Sequence, residues 1–166
     1  MKSIMRTALT FSLLSFSVSS FASDNIVRHL NEGSDFPIAK GVTLKVGTDI
    51  TYMSGTVPEP FDTKQEKGTI AYFGDMEQQT VSILKRIETR LDSVGLSMSD
   101  VVKMQAFLVP DAATGKSDFA GFMKGYTQFF GTDEQPNLPS RSAINVHSLA
   151  NPGWLIEIEV VAAKSN

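Results

Sequence analysis

Arg141 and Glu157 are the two residues of this chain whose types and surroundings best suit chemistry. Arg141 opens an apolar segment after Leu138-Pro139-Ser140, and Glu157 sits inside Leu155-Ile156-Glu157-Ile158-Glu159-Val160. An acid in so apolar a run must face water, pair with a base, or serve a site. A guanidinium offers a planar fork of donors that matches a carboxylate, and a nearby carboxylate can take a proton from water. The pair could thus hold a small carboxylic acid and activate a water, provided their two strands are antiparallel neighbours. On spacing alone, a structural ion pair or a solvated face is the favoured reading. Ser54-Gly55 closes another strand-like segment. It is either a strand-ending turn or a hydroxyl at a pocket rim, where glycine lets a ligand approach the backbone.

Other chemistries are excluded or weak. The chain has no Cys and only two His, so disulfides, thiolate catalysis and Cys-ligated metals are out, and a His-rich metal site is disfavoured. His147 stands alone after a strand and reads as a surface or hydrogen-bonded residue. Gly115-Lys116-Ser117 ends like a phosphate-binding loop, but position 110 is Pro where that loop needs Gly; it reads as a turn and helix cap. A pI of about 5.3 gives no footprint for nucleic acid.

The elements that must position these residues follow from periodicity. Val42 to Val46 alternates as a half-buried strand, Gly47-Thr48-Asp49 is turn chemistry, and Ile50 to Ser54 is a second strand, so the spacing predicts a hairpin. Asp24 to Pro37 reads as an arm or loop, and Gly55 to Gly74 as a long loop. Asp75 can cap a helix to Val94 with Val81, Leu84, Ile87, Leu91 and Val94 on its apolar face. Asp100 to Val109 is a third strand, and Ser117 caps a second helix to Phe130. Ser142 to Val146 and Leu155 to Ala163 are the last strands, with Ile156, Ile158 and Val160 opposite Glu157, Glu159 and Val161. The order β-β-α-β-α-β-β predicts an α+β domain with two helices on one face of a mixed sheet. The other face must be solvated or covered by another subunit.

The first residues read differently. Lys2 and Arg6 precede the uncharged run Ala8 to Val18, and Ser20-Phe21-Ala22 offers small residues at a cleavage site. This is the pattern of a secretory signal, too short to span a bilayer. The expected organisation is a signal over 1–22 and one domain over 23–166. Removing 22 of 166 residues leaves 144. It takes two basic residues and no acid, so 13 basic face 18 acidic residues and the net charge moves from −3 to −5. The expected product is exported, in the periplasm if the cell is Gram-negative, and free of the membrane after cleavage.

The segment Leu138-Pro139-Ser140-Arg141-Ser142-Ala143-Ile144-Asn145-Val146, then Pro152-Gly153, then Leu155 to Ala162, resembles the signature of the RidA/YjgF/YER family. Tyr52-Met53-Ser54-Gly55-Thr56-Val57-Pro58, Leu91 to Gly95 with Val101-Val102-Lys103, and Tyr126 with Phe129-Phe130 extend the match from about Phe36 to Ala163. The resemblance implies a chorismate-mutase-like subunit in a homotrimer with clefts between subunits. It implies hydrolysis of enamines and imines such as 2-aminoacrylate to 2-keto acids and ammonia, without metal or organic cofactor. Arg141 would grip the substrate carboxylate and Glu157 would hold the attacking water. Ser54 and Gly55 would line the pocket, and the Ala143 backbone would face the ligand. Two positions depart from the pattern. Ile38-Ala39-Lys40-Gly41 stands where a pocket tyrosine is common, and Met123 stands at about the place of an asparagine. A non-catalytic binder of small carboxylates in the same cleft is the alternative reading.

Overall fold

The computed structural model describes residues 25–111 and 114–165. The expected signal over 1–22 lies outside them. Six strands form one mixed sheet: β1 (Ile26–Leu30), β2 (Ala39–Leu44), β3 (Thr48–Tyr52), β4 (Val101–Leu108), β5 (Ser140–Asn145) and β6 (Ile156–Ser165). Their spatial order is β1-β2-β5-β4-β6-β3. β4 and β5 are parallel, and β6 runs antiparallel to both β4 and β3. Two main helices, α2 (Met76–Asp92) and α3 (Phe119–Tyr126), and a short turn α1 (Ile70–Phe73) complete the fold. The α+β class expected from the sequence holds.

Alternation along β4 decides which face is covered. Met104, Ala106 and Leu108 are buried, as are Ile156, Ile158 and Val160 of β6. They pack against Ile83, Leu84, Ile87 and Leu91 of α2 and Phe122 and Tyr126 of α3. Each Val, Leu, Ile, Met or Phe among them removed from water contributes about 1.5–3 kcal/mol. Lys103, Gln105 and Phe107, with Glu157, Glu159 and Val161, point to the face that carries no helix.

Several expectations are corrected. Residues 26–30, read as loop, form β1, whose antiparallel partner is β2; the His29 ring bonds Thr43 across this pair at 2.9 Å. The polar residues hid a strand whose outer side faces water. The segments read as a hairpin, now β2 and β3, do not pair. β3 binds β6, and β5, β4 and β6 lie between it and β2. Only residues 45–47 join β2 to β3, a link that spans about 14 Å at most. The sheet must therefore curl toward closure. Val42 and Leu44 of β2 accordingly share a concave cavity of about 260 Å³ with Ile50 and Tyr52 of β3.

The helices also differ in detail. Asp75 does cap α2, in a reciprocal capping box with Gln78, but Val94 is exposed because the helix stops at Asp92 and Gly95 takes a φ of 75°. Val81 is only half-buried, and Met76, Thr80 and Ile83 take the inner side with Leu84, Ile87 and Leu91. α3 is capped by Asp118, which accepts from Gly121 N at 2.8 Å, rather than by Ser117. Ser117 instead donates to Asn145 at 2.7 Å.

Gln79 ties the lower edge of the core together. Fully buried, it donates to the carbonyls of Gly74 and Gly153 at 2.9 Å each and accepts from Leu155 N at 2.8 Å. Gln79→Ala would strand these backbone groups, at about 1–3 kcal/mol each. The expected result is a fall in melting temperature of about 10 °C for a chain this size. A thermal melt showing less than about 2 °C of change would refute this role.

Candidate functional site

Arg141 stands on the helix-covered face. Its partner in β4 is the buried Met104, and its guanidinium lies over the rings of Tyr126, Phe122 and Phe36 at 4.2, 4.9 and 5.4 Å. Nη2 donates to the Met123 thioether at 3.2 Å. Nη1 is buried without an acceptor among the described residues. No carboxylate among them pairs with this cation; three rings, the Met123 sulfur and the Tyr126 hydroxyl are its neighbours. Aromatic faces attract a cation by about 0.5–2 kcal/mol each, which offsets only part of its desolvation. Burial accordingly lowers the Arg141 pKa, and the neighbouring Tyr126 opposes that. Burial likewise holds the Tyr126 phenol well above its ordinary value, with the Arg141 charge pulling the other way. Tyr126 therefore stays neutral, and its hydroxyl donates to Pro37 O at 2.8 Å.

Glu157 stands on the opposite face. It pairs with Phe107, whereas Arg141 pairs with Met104 three residues earlier. An odd offset along one strand puts two side chains on opposite sides of a sheet. β5 and β6 are also not neighbours, because β4 separates them. The expected closeness of Arg141 and Glu157 through adjacent antiparallel strands is thus corrected: within one subunit the sheet itself divides them.

The structure does bring Glu157 to Gly55. After β3 the chain follows β6 through a bridge between Thr56 and Ile158, and Gly55 packs directly on the carboxylate. A Cβ placed on Gly55 would lie 2.0 Å from Glu157 Oε1. Ser54, exposed, is next in line. Among the described residues the Glu157 side chain is not in an ion pair, while its backbone belongs to the β4–β6 ladder.

Ala143 is half-buried on the Arg141 side and packs against the core. β2 meets β5 only at Ala39 and Ser140. From Arg141 to Asn145, β5 therefore has a described neighbour, β4, on one side alone. A cleft of about 240 Å³ opens there, lined by Ala39, Lys40, Lys103, Ser140, Arg141 and Ser142. An unpaired edge offers backbone donors and acceptors to whatever lies along it. Phe122 and Tyr126 escaped the sequence reading as partners of Arg141, because apolar residues at helical spacing do not distinguish packing on aliphatic residues from packing on a guanidinium. His147 is exposed, and among the described residues no three His, Asp or Glu converge as metal ligands.

Comparison with known proteins agrees with this architecture. A family model described as endoribonuclease L-PSP matches residues 39–164. A RutC family protein of Pyrococcus abyssi is 32% identical over 121 residues, 73% of this chain and 83% of its own. Another, from Saccharolobus solfataricus, is 32% identical over 129 residues, 78% and 88% of the two chains. Among solved structures, Escherichia coli TdcF with bound serine is 28% identical with a TM-score of 0.54, over 80% of this chain and 92% of that one. A Rid family protein of unknown function from Yersinia pestis shares the fold at 23% identity and a TM-score of 0.62, covering 84% and 99%. With the match spanning β2 to β6, the chain belongs to the RutC/YjgF/L-PSP family.

Proposed function

We propose that the protein hydrolyses small 2-imino acids and their enamine tautomers to 2-keto acids and ammonia. The observation that carries this reading is the Arg141 guanidinium, held by aromatic rings and a thioether, with a buried Nη1 that has no acceptor among the described residues. A carboxylate is a far better acceptor than a methionine sulfur. It can displace the flexible Met123 and take both prongs of the fork. The serine bound to TdcF supports a ligand of this class, an amino acid with a free carboxylate.

In the reaction, water adds to the imine carbon while Glu157 accepts its proton. The carbinolamine then collapses as a proton passes to nitrogen and ammonia leaves. One imine and one water give one keto acid and one ammonia, with no metal or organic cofactor. Positioning suffices because the carbon is already electrophilic. Since the sheet separates Arg141 from Glu157 within a subunit, the two would meet around a substrate only across an interface. A homotrimer, with the concave face bearing Tyr52 and Ile50 covered by a neighbour, supplies one. Export with cleavage after Ala22 is part of the proposal; it leaves β1, which begins at Ile26, intact.

The test couples an amino-acid oxidase, as the source of 2-imino acids, to purified protein and follows keto-acid release. Acceleration over buffer is expected. Its absence refutes the hydrolase, and stabilisation by keto acids without turnover would establish the alternative, a non-catalytic carboxylate binder. Met123, a thioether where a hydrogen-bonding amide is common in the family signature, favours that second reading. RNA cleavage, which the matching family description names, finds no support in a net charge of −3.

A further inference from the structure

The segment after β3 has two backbone edges, and only one of them has a strand beside it. Thr56 uses its own N–H and carbonyl toward Ile158 of β6, at 2.8 and 3.0 Å. The carbonyls of Gly55 and Val57 must then point the other way, since alternate residues along an extended chain face opposite edges. No strand lies there among the described residues. Two arginines of α2 take its place. Arg90 Nη1 donates to Thr56 Oγ1 at 2.8 Å and lies 3.5 Å from Gly55 O. Arg86, one helical turn earlier, donates through Nη1 to Val57 O and is held by Glu59 through Nε at 3.2 Å. Thr56, which receives Arg90, is buried.

We infer that Arg90, seconded by Arg86, is a positioning residue for Glu157. The guanidinium pair stands in for a missing edge strand and fixes the backbone at Gly55, against which the Glu157 carboxylate rests without room for a Cβ. Arg90 does not reach the substrate. It acts through Gly55, from the opposite side of the chain to the carboxylate. This rests on the hydrolytic reading of Glu157, and it adds a helix on the covered face to the parts that set geometry on the open face.

The experiment compares the full chain with Arg90→Met and Arg90→Lys. The measurements are kcat and KM for imine hydrolysis, together with amide hydrogen exchange resolved to peptides spanning 54–57. In Arg90→Met, kcat should fall about 10- to 100-fold, the scale of a catalytic group misplaced by about 1 Å. KM should stay within about twofold, because Arg141 is untouched. Exchange should rise over 54–57 and not in β4. Arg90→Lys, which can still donate to Thr56 Oγ1, should recover part of kcat. An unchanged kcat overturns the inference. So does a fall in kcat that tracks a general rise in exchange and is not rescued by lysine, since that marks a merely structural residue. If the native protein shows no turnover, the hydrolase reading fails on its own account. Exchange then decides: unaltered protection over 54–57 in Arg90→Met overturns the inference, and a rise confined there upholds Arg90 as the residue that fixes this backbone.

Discussion

Arg141→Met should abolish binding of small carboxylates and leave the fold at least as stable as before. The two effects separate because the guanidinium is a costly resident. It is half-buried, and among the described residues one of its nitrogens has no acceptor and rings and a sulfur surround it rather than an acid. Replacing such a charge by an apolar side chain of similar length is commonly neutral or stabilising. Methionine would fill the space between Phe122, Tyr126 and Phe36 without the desolvation cost. A ligand carboxylate, however, would lose two charge-assisted hydrogen bonds worth about 1.5–3 kcal/mol each. The expected loss is about 10²- to 10⁴-fold in affinity. Titration calorimetry with a small 2-keto acid, beside a thermal melt, reads both quantities. Undiminished binding would show that the anchor lies elsewhere. A collapse of the fold would show that Arg141 is a structural strut.

Gly55→Ala should remove activity by a different route. Gly55 does not have a positive φ, so alanine suits the backbone there and even restricts the unfolded chain, by about 0.4–1 kcal/mol. Its Cβ would meet Glu157 at 2.0 Å from Oε1 and 3.0 Å from Cδ. The obstacle is the end of a flexible side chain on an open face, so the carboxylate swings aside and the fold survives. Gly153 contrasts with it: there a Cβ would meet the Thr69 carbonyl at 2.5 Å, and backbone cannot yield so cheaply. With the carboxylate displaced, imine hydrolysis should drop about 10²-fold with melting temperature nearly unchanged. Near-native turnover in Gly55→Ala would exclude Glu157 as the base in its present place.

Much of the positioning was legible in residue order because it is local. The alternation of Ile156, Ile158 and Val160 against Glu157, Glu159 and Val161 predicts their two faces, and the structure has them so. Asp75 announces its helix, and the apolar run at 101–108 announces a buried strand, β4. β1 was not legible, since Val27, Arg28 and His29 carry no clean period. The arginine clamp was not legible either. Arg86 and Arg90 are an ordinary polar pair on a helix until the chain after β3 is known to run beside them.

By itself the sequence determined the α+β class, the family resemblance, the two faces of β6, and the residues capable of chemistry. These follow from spacing within single elements, where the 2.0 and 3.6 periods leave little choice. Only the tertiary structure decided which strands are neighbours. Pairing depends on how the sheet curls and on a three-residue link that joins β2, next to one edge of the sheet, to β3 at the other edge, not on local preference. That choice inserted β4 between β5 and β6. It put Arg141 and Glu157, three registers apart along β4, on opposite faces of the sheet, where no single subunit can bring them to one substrate.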